Sequence, residues 1–239
     1  MKIYEKIYPA GHVDVSRTLN NIGCILNDQG NYDQALDYHQ RALEMREKFY
    51  PFGHVDIAAS LNNIGHTLHN QEKYIEALDY CQRALKMREK FFPSGHIDTA
   101  KSFHIIGMIF EQQRKYDEAL DCHQRALKMR KKFYPPGHVH IAMSLSNIGS
   151  ILNHQRKYSG ALKYCQEALN MLEKVYPSGH VDIGHTLNNI GICYENQNKR
   201  QMALDSYQRA LALFELLLPA SHPTRIITKN NIRRITGKD

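Results

Sequence analysis

Histidine is the side chain most able to bind a metal ion or transfer a proton near neutral pH, and the sequence contains fourteen of them. Six recur at one position of a 42-residue period, namely His12, His54, His96, His138, His180 and His222. Metal ligands must converge on one point, whereas residues with this spacing are distributed along the chain. We therefore interpret these six histidines as structural residues that bond the turn before a helix.

The remaining candidates for chemistry are close pairs in the sequence. His66 and His69 are three residues apart, so both could touch one ion from a helix, but no third ligand is evident. Cys122 and His123 are adjacent, and adjacent residues of a helix point apart, so they do not form a nucleophile–base pair. No phosphate-binding loop or nucleophile elbow occurs. The sequence thus predicts no catalytic residue, no metal site and no cofactor, and we expect a protein that is not an enzyme.

An internal repeat determines the elements that carry these residues. Prolines recur every 42 residues, and two residues after each follows glycine–histidine or, at the last start, serine–histidine. The period defines five repeats, which lie at 11–52, 53–94, 95–136, 137–178 and 179–220. Residues 1–10 align with the end of a preceding second helix and are predicted to form an N-terminal cap. Residues 221–239 repeat only the first helix and are predicted to form a C-terminal capping helix and tail.

The sequence pattern predicts two helices in each repeat. In the first repeat, one helix begins near Asp14, whose carboxylate suits the exposed N–H groups of a helix start, and it ends near Gly30. The second begins near Tyr32 and carries apolar residues at spacings of three, four and seven, until Pro51 ends it. No segment alternates with a period of two for long enough to form a strand. An all-α fold is therefore predicted.

Small residues in a fixed register indicate close packing of the two helices. A glycine falls in the middle of each first helix, at Gly23, Gly65, Gly107, Gly149 and Gly191. A mid-helix glycine costs roughly 1 kcal/mol relative to alanine, so a compensating gain is expected. We predict that these glycines lie against alanines of the second helix, such as Ala35 and Ala42.

Cysteine usage and hydropathy indicate the compartment. The five cysteines are odd in number and include no CxxC pair, which argues against a disulfide framework or a zinc ribbon. Because they are scattered through apolar helical segments, we expect buried, reduced thiols. No run is long enough to span a membrane, and the segment from Met1 to Ala10 lacks the features of a secretory signal. We therefore predict a cytoplasmic protein with no membrane partner.

The formal net charge of +7 is concentrated in the middle of the chain and at its C-terminal end. It favours acidic partners without identifying one. The densest stretch runs from Arg125 to Lys132, where cations suit the C-terminus of a helix. The aromatic residues that follow, Phe133 and Tyr134, have counterparts in other repeats that read as loop packing. Nucleic acid is therefore not the expected partner.

The order Leu-x-x-Gly, Gly-x-Tyr, Ala-Leu and again Ala-Leu resembles the tetratricopeptide repeat. The 42-residue period, with Gly-His-x-Asp, Leu-Asn-Asn-Ile and Arg-Ala-Leu-x-Met-Arg-Glu-Lys, is similar to the repeats of kinesin light chains. The resemblance implies a superhelix of about five helix–turn–helix repeats with partial repeats at both ends. No heptad segment precedes the repeats, so direct binding to the kinesin heavy chain is not expected.

The resemblance also implies a function, a non-catalytic scaffold whose first helices line a concave groove. An extended peptide or a cargo-adaptor segment would bind there, and amides and imidazoles suit its backbone because they donate and accept hydrogen bonds. The groove residues implied are Arg17, Asn20, Asn27, Asn62, His66, His69, Lys101, His104, Ser146, Asn153, His185 and Asn188. Two alternatives remain open, that Asn20, Asn62 and Asn188 are merely solvated or that they bond the next helix.

The chemistry of the ligand is a further expectation. Grooves of kinesin light chains favour acidic peptides, and the histidines near this groove would gain charge as the pH falls from about 7.5 to 6. An acidic peptide is therefore expected to bind more tightly at pH 6. Two other functions stay open at this point, a self-association module and an accessory repeat array of a larger enzyme or signalling protein.

Overall fold

The computed structural model describes residues 13–237, and every regular element among them is an α-helix. The helices are α1 (Val13–Asp28), α2 (Tyr32–Phe49), α3 (Val55–Asn70), α4 (Tyr74–Phe91), α5 (Ile97–Gln112), α6 (Tyr116–Phe133), α7 (Val139–His154), α8 (Tyr158–Val175), α9 (Val181–Asn196), α10 (Arg200–Leu217) and α11 (Pro223–Thr236). The predicted all-α fold is confirmed. The segment 1–10, predicted to be an N-terminal cap, lies outside the described residues.

Each repeat supplies a first helix of 16 residues and a second helix of 18 residues. The recurring histidines start the first helices. His54 Nδ1 accepts a hydrogen bond from the backbone N–H of Asp56 at 3.1 Å, and its ring stacks on Tyr50 with centroids 4.0 Å apart. The same cap occurs at the counterparts His96, His138, His180 and His222. The predicted structural role is therefore confirmed for these five, and His12 lies outside the described residues.

The turn from first to second helix requires a left-handed residue. Gly30 has a φ of 79° there, a conformation that suits glycine. The counterparts Glu72, Arg114, Arg156 and Asn198 adopt φ values of 59° to 63°, although residues with a Cβ rarely do so. At Glu72, Arg114 and Arg156 the turn is thus imposed by the helices on either side of it, since these residue types do not favour a left-handed conformation.

The chain forms two compact units, Met1–Cys122 (unit 1) and His123–Asp239 (unit 2). Within each unit, consecutive helices pack as antiparallel pairs, and the first helices of consecutive repeats lie side by side. The core of unit 1 includes Leu19, Leu61 and Ala84, each at most 1% exposed. In unit 2 the largest fully buried side chains are aromatic, Tyr207 and Phe214. Apolar burial of this kind drives the folding of each unit.

The mid-helix glycines make room for side chains and backbone of the second helix. A Cβ on Gly23 would lie 2.6 Å from the His39 ring, and one on Gly191 would lie 2.5 Å from the Tyr207 ring. Gly65 and Gly149 face the sulfur atoms of the cysteines at the same register, Cys81 and Cys165. The alanines are fully buried, yet a larger side chain meets each of these glycines. The predicted alanines contribute as well at two of these sites, because a Cβ on Gly65 or Gly149 would lie 3.1 Å or 3.3 Å from the backbone oxygen of Ala77 or Ala161.

The final helix, α11, packs on the last repeat of unit 2. Ile235 joins a buried cluster with Ala203 and Tyr207, and Gly237 ends the helix in the left-handed conformation with a φ of 68°. Lys229 and Arg233 occupy the positions at which α9 has the buried Leu187 and the mid-helix Gly191. The outward side of α11 is therefore charged where other first helices are apolar. Its capping role stays a prediction.

Candidate functional site

Each first helix leaves one row of residues accessible, at spacings of four, three and four residues. In unit 1 the row of α1, α3 and α5 consists of Arg17, Asn21, Cys24, Asp28, Ala59, Asn63, His66, Asn70, Lys101, Met108 and Gln112. In unit 2 the row of α7 and α9 consists of Met143, Asn147, Ser150, His154, His185, Asn189, Ile192 and Asn196. We call these two surfaces the first-helix faces. Spacings of this kind lie along one side of a helix.

Hydrogen bonds between neighbouring first helices make the unit 1 face continuous. The Asn63 amide donates to the Cys24 sulfur at 3.7 Å, and the Asn70 amide donates to the Asn27 side-chain oxygen at 3.1 Å. Both bonds join α1 to α3. Side chains on this face are thus held in a fixed arrangement across two repeats.

The predicted groove amides Asn20 and Asn62 lie beneath this face, each 5% exposed. The Asn20 amide donates to Ser60 Oγ at 2.9 Å, and its oxygen lies 2.8 Å from His39 Nδ1. The Asn62 oxygen accepts a hydrogen bond from Ser102 Oγ at 2.9 Å. These amides bond the next first helix, which is one of the two alternatives that the sequence left open.

Four further predicted groove residues also make bonds between repeats. Asn27 is 8% exposed and accepts the bond from Asn70. In unit 2, the Asn188 amide donates to Thr228 Oγ1 at 2.8 Å, and Ser146 Oγ lies 3.1 Å from Thr186 Oγ1. The Asn153 amide donates to a backbone carbonyl of α9 and its oxygen accepts from a buried thiol. Their groove role stays a prediction, but these hydrogen bonds already occupy many of the donors and acceptors that a ligand would need.

The two predicted cations are exposed, and each pairs within its own helix. The Arg17 guanidinium lies 3.4 Å from the Asp14 carboxylate, and the Lys101 ammonium lies 2.8 Å from that of Asp98. Partial burial would raise the pKa of Asp98, but the hydrogen bond and charge of Lys101 outweigh it and lower that pKa. The attraction of these cations for an acidic ligand is therefore reduced.

The predicted histidines lie on or beside the faces, His66 and His69 in α3, His104 in α5 and His185 in α9. Burial first, and then the neighbouring His69, lowers the pKa of His66. The pKa of His185 is also lowered by burial, since its ring packs 5.2 Å from that of Phe214. These two histidines therefore gain a proton at a lower pH than an ordinary imidazole does. The expected gain in groove charge at pH 6 is smaller than the sequence suggested.

The faces also contain residues that were not among the predicted groove residues. Asn21, Asn63, Asn147 and Asn189 occupy one register of the faces, directly after the register of Asn20 and its counterparts. Cys24 is exposed, which contradicts the expectation of five buried thiols, while the other four cysteines are buried. The repeated Leu-Asn-Asn contained the signal, but in unit 1 the first asparagine of each pair, Asn20 or Asn62, is buried and the second is accessible.

Three buried arginines of the second helices form hydrogen bonds with the first helices. Arg46, Arg88 and Arg130 are 4% to 5% exposed. Arg130 lies in the last turn of α6, as predicted for this basic stretch, but its side chain is buried. Each of the three donates to a serine hydroxyl fourteen residues later, at 2.9 Å, 2.5 Å and 2.8 Å. In the last two repeats Leu172 and Phe214 take the arginine's place. Burial lowers the pKa of all three arginines.

The described part of the chain provides neither a metal-binding cluster nor a membrane-spanning helix. Residues 13–237 include no group of three or more histidine, cysteine, aspartate or glutamate side chains that could hold a metal ion. The rings of His66 and His69 are stacked with centroids 6.5 Å apart. None of the helices α1 to α11 is long and apolar enough to cross a membrane.

Comparison with known proteins assigns the fold. The tetratricopeptide repeat profile matches residues 15–56, 56–132 and 140–215, whereas no curated protein sequence matches. Among solved structures, RapI without ligand is 17% identical, with a TM-score of 0.71 over 93% of this chain and 84% of that one. A putative kinesin light chain from Podospora anserina with nearly identical repeats is 14% identical, with a TM-score of 0.70 over 86% and 98%.

YrrB, a tetratricopeptide protein described as having an unusual peptide-binding site, is 19% identical, with a TM-score of 0.53 over 89% of this chain and 90% of that chain. The predicted resemblance to kinesin light chain repeats is confirmed at the level of the fold, as is the tetratricopeptide superhelix. The family profile covers well over half of the residues. The chain therefore belongs to the tetratricopeptide repeat family.

Proposed function

We propose that the protein is a non-catalytic interaction scaffold that binds an extended peptide segment of a partner protein on a first-helix face. The observation that carries this proposal is the row of asparagines at one accessible register, Asn21 and Asn63 in unit 1 and Asn147 and Asn189 in unit 2. A carboxamide can donate to a peptide carbonyl and accept from a peptide N–H at once. A row of them suits a backbone and is indifferent to most side chains.

The spacing of the row fits an extended ligand. Packed helices lie about 8–10 Å apart, and an extended backbone rises about 3.3 Å per residue. One asparagine would therefore meet the peptide about every three residues. Apolar side chains of the ligand would contact Met108 in unit 1 or Ile192 in unit 2, which share the register of Cys24. YrrB, whose fold is similar, is described as having a peptide-binding site, which supports this class of ligand.

Backbone recognition, rather than charge, carries the proposal. Arg17 and Lys101 each share a carboxylate of their own helix, and Asp28 adds a negative charge to the same face. We therefore expect acidic peptides to be accepted, as the kinesin light chain resemblance implies, with a modest preference over neutral ones. Salt should weaken that preference because exposed charges are screened within about 10 Å.

The test compares adjacent asparagines. Extended peptides are selected from a displayed random library on the wild-type protein, and their affinities are measured for Asn63→Ala and Asn62→Ala. Loss of one hydrogen bond of about 1 kcal/mol should weaken binding about fivefold in Asn63→Ala. The melting temperature should change only slightly, because the bond from Asn63 to the Cys24 sulfur is long and exposed. Asn62→Ala should mainly lower the melting temperature, because Asn62 joins α3 to α5.

The triple variant Asn21→Ala, Asn63→Ala and Asn189→Ala extends the comparison to both units. It should weaken peptides bound on the unit 1 face by more than about tenfold, as expected for the two hydrogen bonds lost there. Selected peptides that bind the triple variant as tightly as the wild type would contradict the proposal.

A further inference from the structure

Unit 1 has a second open surface, which lies between the second helices α2 and α4 and over the start of α3. It is a groove of about 480 Å³. Its floor consists of Ile57, Leu61 and Met87, and the aromatic rings of Phe52 and Phe91 line one end. We call it the second-helix groove. None of its lining residues belongs to the first-helix face.

Phe52 is the unusual member of this groove because it is 91% exposed. The same loop position holds Ser94, Pro136 and Ser178 in the next three repeats, so the turn does not require an aromatic residue. Phe91 is 38% exposed, and its ring would lie 3.6 Å from a Cβ on Gly53. Apolar side chains grouped at the surface mark contact sites more often than single exposed ones do.

The rim of the groove is basic. Arg83, Lys86 and Lys90 line it from α4, and Glu47 contributes a carboxylate from α2. Arg83 lies 3.6 Å from the exposed Asp79, and the Lys90 ammonium is 5.7 Å from the centre of the Phe91 ring. An apolar floor between cations complements a ligand that has an apolar side chain flanked by carboxylates.

We propose that the second-helix groove of unit 1 binds an acidic segment of a partner protein, which inserts an apolar side chain beside Phe52 and Phe91 and meets Lys86 and Lys90 with its carboxylates. This site is separate from the peptide-binding face proposed above. A scaffold with two sites in one unit can hold two segments, and linked binding of this kind raises the overall affinity without new contacts.

The probe for the test is a short fluorescein-labelled peptide in which phenylalanine and leucine are flanked by glutamates. A second probe replaces each glutamate with glutamine. Fluorescence polarisation with the full chain should show the acidic probe binding about tenfold or more tightly than the glutamine probe. High salt should reduce the difference because the rim charges are exposed.

Two variants locate the probe. Phe52→Ser, which copies the residue at the same position of two other repeats, should weaken the acidic probe by about tenfold, as expected for the loss of an aromatic anchor. Lys86→Gln combined with Lys90→Gln should weaken it similarly. Lys128→Gln, the counterpart of Lys86 in α6, and Asn63→Ala on the first-helix face should leave its affinity unchanged.

Several outcomes would overturn the proposal. One is equal binding of the acidic and glutamine probes. Another is an acidic probe that is insensitive to Phe52→Ser, and a third is a probe that Asn63→Ala displaces. Sedimentation that shows a wild-type dimer and a monomeric Phe52→Ser variant would also overturn it, because a second copy of the chain would then be the occupant.

Discussion

Replacing Arg88 with leucine should lower the free energy of unfolding by about 1–3 kcal/mol. The side chain is 4% exposed and donates to Ser102 Oγ at 2.5 Å and, more weakly, to the Asn62 oxygen at 3.3 Å. A hydrogen bond from a charged donor contributes about 1.5–3 kcal/mol. Leucine also removes the cost of burying a charge, which offsets part of that loss. The expected net decrease in the free energy of unfolding is therefore about 1–3 kcal/mol.

The chain itself suggests how the loss can be repaired. Leu172 precedes Thr186 by fourteen residues, as Arg88 precedes Ser102. The Thr186 hydroxyl donates to the Asp182 carbonyl of its own helix at 2.8 Å and so needs no arginine. Adding Ser102→Thr to Arg88→Leu should therefore recover about 1 kcal/mol or more, a coupling typical of residues in contact.

Urea unfolding followed by circular dichroism measures the wild type, both single variants and the double variant. The expected order is wild type first, then the double variant, then Arg88→Leu. Strict additivity of the two substitutions would refute the reasoning. So would an Arg88→Leu protein as stable as the wild type, because the bonds that Arg88 makes to the next helix would then contribute nothing.

Three further predictions concern the repeat itself. His54→Ala should lower the free energy of unfolding by about 1 kcal/mol through loss of the N-cap, and His54→Asn should keep most of it; equal urea midpoints for both would contradict the cap. Burial lowers the pKa of His39 to about 4, so the unfolded chain binds more protons between pH 6.5 and 4. The free energy of unfolding should fall as the pH drops through that window. It should fall less steeply in His39→Cys, which copies Cys81 at the same register. Identical slopes of unfolding free energy against pH in the two proteins would contradict this. Gly65→Ala should lower the melting temperature although alanine favours a helix more than glycine does. Adding Cys81→Ala should restore part of the lost melting temperature. A Gly65→Ala protein that melts at a higher temperature than the wild type would show that the two helices can move apart.

The helices themselves were predictable because their boundaries depend on local residues. The first repeat was expected to have helices starting near Asp14 and Tyr32 and ending near Gly30 and Pro51, and they run from Val13–Asp28 and Tyr32–Phe49. Proline cannot continue a helix and glycine favours a turn, so a single repeat contains the necessary signals. The 42-residue period then transfers the result to the other four repeats.

The accessible register was not predictable, because it depends on packing between repeats. Adjacent residues such as Asn62 and Asn63 have the same type and differ only in direction around the helix. Asn62 points inward because Ser102 in the next repeat and Arg88 lie within hydrogen-bond distance. Both partners are distant in the sequence, and the arginine resembles the solvated lysines around it. One sequence signal would have identified these buried contacts. Arginine occurs fourteen residues before serine, whereas leucine or phenylalanine occurs fourteen residues before threonine.

The most direct measurement uses the exposed native thiol of the unit 1 face. Partial burial first, and then the charge of Asp28, raises the pKa of Cys24, so alkylation is followed at a mildly alkaline pH by mass spectrometry. Cys24 should react well before the four buried cysteines. A selected peptide whose binding is weakened by Asn63→Ala should slow the alkylation of Cys24 by about tenfold at saturation. An unchanged rate in the peptide-saturated protein would contradict the conclusion that the first-helix face binds peptides.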